Sequence, residues 1–209
     1  MKSATKRSAA LKRNTKETRI QVRFSLDGAG RSAVSTGIPF LDHMLELFAK
    51  HGLFDLDVRA QGDLHVDIHH TNEDVGISLG KAFAQAVGKA QGIRRFADVT
   101  VPLDEARSRA VVDVSARPFF VFESASGVKL SKPTQETFRS RTAYGLEDAK
   151  HFLRSFSQNA GLNLHVIIEA GEEPHHVLET IFKALAKALD AATARDARVR
   201  GVPSTKGRL

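Results

Sequence analysis

Residues 43–83, HMLELFAKHGLFDLDVRAQGDLHVDIHHTNEDVGISLGKAF, and residues 151–189, HFLRSFSQNAGLNLHVIIEAGEEPHHVLETIFKALAKAL, present the same parts in the same order. Laying His69-His70 over His175-His176, 106 positions apart, puts Glu73 on Glu179, Leu79 on Leu185 and Lys81 on Lys187. The lone histidines His43 and His151 stand 108 apart, so two residues of slack lie between. One HHxxE match arises easily by chance. A second with its own upstream histidine does not, and the chain reads as a tandem duplication.

Each copy also reads alike locally. The lone histidine heads an amphipathic helix, with Met44, Leu45, Leu47 and Phe48 in one copy and Phe152, Leu153 and Phe156 in the other. An alternating strand follows, Phe54, Leu56 and Val58 against Leu162, Leu164 and Val166. HHxxE then opens a second helix, whose apolar stripe is Val75, Leu79, Ala82 and Phe83, or Val177, Leu178, Ile181, Leu185 and Leu189. Pro174 suits the first turn of the later one. Upstream, ETRIQVRFSLDG and GRSAVSTGI are expected to pair as a hairpin across Asp27-Gly28. Between the copies, two β-rich runs surround an Asp-Glu-Ala-Arg corner, and SGVKLSKPTQET reads as a linker.

The fold class expected is therefore α+β, a tandem duplication of a half-domain with a roughly four-stranded sheet and two helices. The division expected is a basic, disordered tail over 1–13, half-repeats over 14–100 and 101–200, and a C-terminal tail over 201–209.

Composition narrows the chemistry. Among 209 residues there is no cysteine, which excludes disulfides, thiolate metal sites and cysteine nucleophiles. Nine histidines leave imidazole and oxygen as metal ligands, a set that suits manganese, iron, zinc, cobalt or nickel. No apolar run approaches the roughly 20 residues of a bilayer-spanning helix, and the start has no apolar segment of a secretory signal, so a cytoplasmic protein without a membrane partner is expected. The net charge of +7 resides entirely in residues 1–23, where eight cations face the single acid Glu17. A basic tail of this kind is ordinarily just solvated, and no nucleic-acid partner is expected.

The doubled motif points to metal. On a helix, positions i and i+4 lie about 40° apart, so His69 can aim with Glu73, and His175 with Glu179. Adjacent histidines diverge by about 100° and suit two different ions. The grouping expected is His43, His69, Glu73 and His176 on one ion, and His70, His151, His175 and Glu179 on the other; which member of each pair serves which ion stays open. Three imidazoles and a carboxylate leave coordination positions for substrate. A single such histidine is more often a surface residue; two copies in register favour metal binding. His65 reads as a plain strand residue and His165 as unpaired, whereas His51, eight residues past His43, is placed at the edge of the site.

TGIPFLDHML, HGLFDLDV, GDLHVDIHHTNEDVGISLG, HFLRSF, PHHVLETIFKALAKAL and VPSTKG together resemble imidazoleglycerol-phosphate dehydratase over residues 14–209. The resemblance implies a duplicated fold of the kind also seen in a ribosomal protein domain. It further implies two Mn2+ per site, a homo-oligomer of 24 copies built from trimers, and sites shared between subunits. The implied activity is a hydro-lyase of histidine biosynthesis that dehydrates D-erythro-imidazoleglycerol phosphate to imidazole acetol phosphate through a metal-bound imidazolate. Its metal ligands map to the same eight residues. Its phosphate grip maps to Arg95, Arg117, Lys183, Ser204 and Lys206, of which the two arginines would otherwise pass for surface residues. Glu17 matches a family glutamate beside the reacting carbons, and with His51 is the catalytic candidate. Three positions depart from the family: Leu47 for a glutamine, Ala116 for a glycine, Glu173 for an asparagine.

Two other readings compete. A binuclear metallohydrolase would also use two ions and basic residues, although such sites lean on carboxylates. A basic nucleic-acid-binding module leaves the doubled HHxxE without purpose.

Overall fold

A computed structural model describes residues 7–126, 128 and 143–208. The first half contains β1 (Ser8–Asn14), β2 (Thr18–Ser25), β3 (Ser32–Ser35), α1 (Pro39–Gly52), β4 (Asp55–Gly62) and α2 (His69–Val87). The second repeats the order as β5 (Phe96–Leu103), β6 (Ala106–Val114), β7 (Phe119–Ser124), α3 (Leu146–Ala160), β8 (Leu162–Ala170) and α4 (Pro174–Thr193). Each half forms one four-stranded sheet, ordered β1-β2-β4-β3 and β5-β6-β8-β7. In both, the strand last in sequence inserts centrally, antiparallel to one neighbour and parallel to the other. The duplication is real at the level of topology.

Strand alternation sets which face is buried. Ile20, Val22 and Phe24 of β2 and Leu56 and Val58 of β4 turn inward, as do Leu162, Leu164, Val166 and Ile168 of β8. Helices cover those faces, α2 on β1 and β2, α4 on β5 and β6. The helical layers then meet, with α1 along α4 and α2 along α3. The result is four layers, sheet, helices, helices, sheet. The α2–α3 crossing is close because Gly76 and Gly80 face it; a Cβ at Gly80 would stand 2.5 Å from the Phe156 carbonyl oxygen. No helix among the described residues is long and apolar enough to cross a membrane.

Several expectations need correction. Residues 8–13, expected in a disordered tail, form most of β1, whose neighbour β2 supplies a full antiparallel ladder. The first hairpin is therefore β1–β2. β3 instead lies parallel to β4, so Asp27-Gly28 opens a crossover rather than a hairpin turn. The boundary between halves falls before Phe96, because 100/101 would cut β5. The lone histidines lie one turn inside their helices rather than at the heads. His65 occupies a turn after β4 instead of a strand. The expected linker, apart from Ser126 and Val128, lies outside the described residues.

Candidate functional site

Each HHxxE begins its helix with matched local chemistry. Asp67 accepts a hydrogen bond from the His69 backbone N–H at 2.8 Å, and Glu173 from that of His175 at 3.1 Å. Both satisfy a first-turn amide that the helix leaves unpaired. Glu173, a departure from the pattern the resemblance implies, thus caps its helix.

The helix crossings decide which residues meet. Because α1 packs along α4, His43 comes to the second half's motif: its Nε2 lies 3.2 Å from Glu179 Oε1, and His175 Nε2 lies 3.0 Å from the same oxygen. One ligand atom from each of these three residues lies within 4.8 Å of the other two. Because α2 packs along α3, the rings of His69 and His151 meet edge to face at 5.1 Å. Glu73, one turn beyond His69, is exposed. The expected grouping is therefore corrected: each lone histidine serves the motif of the other half. Nothing in the spacing could reveal this, since it depends on which helices cross.

His70 and His176 turn away from their neighbours and take a carboxylate each. His70 Nδ1 is 2.9 Å from Asp63 Oδ2, and His176 Nδ1 is 2.8 Å from Glu105 Oε2. A carboxylate on Nδ1 fixes the tautomer that presents Nε2 as a metal ligand. The same contacts raise the pKa of both imidazoles, and the His176 bond with backbone amides holds Glu105 down at about 2. Glu179 is also held at about 2: burial works against this, but Lys183 Nζ at 2.6 Å, His43 and His175 prevail. Carboxylate oxygen, neutral-capable imidazole and mutual distances all fit a divalent cation of the manganese or zinc class. The edge of the Phe40 ring packs against His175 at 5.0 Å, and Phe40 stacks on buried Tyr144, whose hydroxyl donates to Asn72.

A second feature lies at the C-terminal tail. Arg95, Arg117, Pro203, Ser204, Thr205 and Lys206 line a cleft of about 520 Å³. Four of the five expected phosphate residues thus converge; within the chain, Lys183 does not join them and is bonded to Glu179. Arg95 has a left-handed backbone, φ 76°, held by its N–H to Ala192 O and its carbonyl to Val114 N. Its guanidinium is braced by both oxygens of Asp113 and by Pro203 O at 2.8 Å. Strain that surrounding bonds enforce is frequent at ligand sites. Ala116, beside Arg117, also has positive φ, 55°, a conformation that glycine adopts freely and alanine does not.

The catalytic candidates separate. Glu17 sits in the β1–β2 turn, exposed, near enough for its charge to act on His70. His51 is half-buried on the last turn of α1, outside the three-residue group; burial and the charges of Lys183 and Lys187 lower its pKa. Leu47 packs on the core and His165 lies on β8 between Val111 and Val121. Asp63, Glu105 and Phe40 escape sequence reading, since none has a periodic signal. Only the matched hairpin positions of Glu17 and Glu105, each just before the second strand, could have drawn attention to the latter.

Comparison with known proteins gives the family. The family model for imidazoleglycerol-phosphate dehydratase matches residues 36–189. The dehydratase of Desulfosudis oleivorans is 50% identical over 202 residues, covering 97% of this chain and 98% of that one. That of Geobacillus thermodenitrificans is 48% identical over 203 residues, 97% and 99%. Among solved structures, the dehydratase of Pyrococcus furiosus superposes with a TM-score of 0.76 at 30% identity, over 95% of this chain and 100% of that one. The Staphylococcus aureus dehydratase gives 0.75 at 30%, over 90% and 99%. With about half of its residues identical over nearly its full length to such dehydratases, the chain belongs to the imidazoleglycerol-phosphate dehydratase family, lyases of histidine biosynthesis.

Proposed function

We propose that the chain dehydrates D-erythro-imidazoleglycerol phosphate to imidazole acetol phosphate at a site holding two divalent cations, manganese foremost. The convergence of His43, His175 and Glu179 from opposite halves carries the reading. One ion would be held by these three, the other by His69, Glu73 and His151. His70 and His176 of neighbouring copies would complete the two shells, in an assembly of 24 copies built from trimers. Bound there, the cations would act as Lewis acids on the two ring nitrogens and acidify the substrate imidazole.

Arg95, Arg117, Ser204 and Lys206 supply the donors that a phosphate dianion requires, and fork-shaped guanidinium groups match its oxygens. With ring and phosphate anchored, the two carbinol carbons lie between. The C–O bond beside the ring breaks and its hydroxyl leaves as water with a proton taken from solvent, repaid when the enol formed later gives up its O–H proton. Glu17 takes the proton from the next carbon. The resulting enol is reprotonated at the ring-adjacent carbon and becomes the ketone. His51, whose neutral form burial and the nearby lysines favour, is a secondary candidate for moving a proton at the edge of the site. Because the substrate and product are phosphorylated and do not cross membranes, the reading places the protein in the cytoplasm.

Glu179→Gln tests this directly. Elemental analysis should show about one metal equivalent lost per chain, and formation of the enolisable ketone should fall at least about 100-fold. Full metal content with undiminished ketone formation would refute the ligand assignment. Release of inorganic phosphate in place of ketone would restore the hydrolase alternative.

A further inference from the structure

We infer that Asp74, the residue after the first HHxxE glutamate, is a positioning residue that holds the Glu17 turn in place through Thr18 and Arg13. The inference rests on the reading of Glu17 as the acid/base group.

Asp74 is buried on α2, 6% exposed. Its Oδ1 accepts from Arg13 Nε at 2.9 Å and lies 2.7 Å from Nη2 in an ion pair, and its Oδ2 accepts from the Thr18 hydroxyl at 2.5 Å. Arg13 and Thr18 are the two legs of the β1–β2 hairpin, on either side of Thr15–Glu17. Inside the turn, Thr15 Oγ1 accepts from the backbone N–H groups of Glu17 at 3.1 Å and Thr18 at 2.9 Å. One carboxylate therefore staples both legs to the helix that begins with His69-His70. The Glu17 carboxylate itself has no hydrogen-bond partner among the described residues, so only its backbone fixes where it points.

The second half is the natural control. Thr180 stands at the repeat position of Asp74, 106 residues on, and makes a neutral bond of 2.8 Å with Ser108. In that half the turn glutamate, Glu105, is itself tied down by His176 and by the Glu173 backbone N–H. Where the glutamate is bonded, a neutral contact between strand and helix suffices. Where it is free, the contact is an ion pair whose carboxylate is buried, and a buried carboxylate is unfavourable unless its geometry is good and its oxygens are satisfied. Both oxygens of Asp74 are satisfied.

Thr18→Val removes the hydroxyl while keeping the shape. The expected result is a kcat lowered about 10- to 100-fold, as for a misplaced catalytic group, with KM and metal content unchanged. Amide exchange of residues 15–18 should accelerate while β6 and β8 stay protected, and Thr18→Ser should restore kcat. In a Glu17→Gln background Thr18→Val should have no further effect on kcat, because the two act as a unit. If Thr18→Val does not fold, Arg13→Lys, which keeps the charge and loses the fork, serves in the same cycle. Equal losses in both backgrounds, or a silent Thr18→Val where Glu17→Gln is impaired, overturns the positioning role alone. A silent Glu17→Gln overturns the acid/base reading and this inference with it.

Discussion

Leu53 and Gly161 close the first helix of their respective halves at matched positions, 108 residues apart, and both are left-handed, φ 56° and 68°. Glycine meets that conformation without penalty, whereas a side chain suffers a Cβ clash of roughly 1–2 kcal/mol. Leu53 recovers little by packing, being 50% exposed. Leu53→Gly should therefore stabilise the fold by about 1 kcal/mol, raising Tm by roughly 2–4 °C for a chain of this size. A fall in Tm would mean that Leu53 is buried against a neighbouring copy. At this scale much is legible in the sequence. The meeting of His175 with Glu179 follows from helical angle alone, and the divergence of His70 and His176 from their neighbours follows equally. Asp63 and Glu105 are not legible, because they meet their histidines through folded turns that no spacing encodes.

At the scale of elements, amphipathic helices and the central strands read directly, since their periods of 3.6 and 2 are set by one buried face. Edge strands do not. β3 is four residues, SAVS, almost wholly exposed, and only the insertion of β4 beside β2 tells that it runs parallel. β1 is hidden by its charge: Lys12 and Arg13 look like tail, yet Ala9 packs against the core, Leu11 is half-buried and Arg13 answers Asp74. The C-terminal segment shows the same limit. Residues 203–206 have no periodic pattern, but they form one wall of the Arg95 cleft, and Pro203 O is one of the acceptors orienting that arginine. Ending the chain after Val202 removes that brace together with Ser204 and Lys206. The KM for imidazoleglycerol phosphate should rise at least about 10-fold, with metal content unaffected, as expected when charge-assisted donors to a phosphate are lost. A truncated protein with the KM of the full chain would show that the phosphate binds elsewhere.

At the scale of the whole molecule, the duplication places two histidine clusters by one rule: α1 crosses α4, α2 crosses α3, and each lone histidine reaches the other half's motif. The same rule leaves His70 and His176 outside both clusters, each oriented by a carboxylate and about one-third exposed. Large apolar side chains also stand exposed at the flanks, Val66 in the turn before His69-His70, and Phe96 and Phe119 next to Arg95 and to the Arg117 turn. Isolated exposed apolar residues are unremarkable, but these neighbour in sequence the partly exposed His70 and the arginines of the cleft. If neighbouring copies supply the fourth ligand of each shell, metal binding and assembly are one equilibrium, and a ligand that binds only the assembled form must favour it. Stripping metal with a chelator should therefore shift sedimentation to smaller species, and adding back Mn2+ should reverse the shift. His70→Ala and His176→Ala should each weaken assembly without disturbing the fold seen by circular dichroism. Metal-free protein sedimenting at the same mass as the loaded form would place both shells within a single chain.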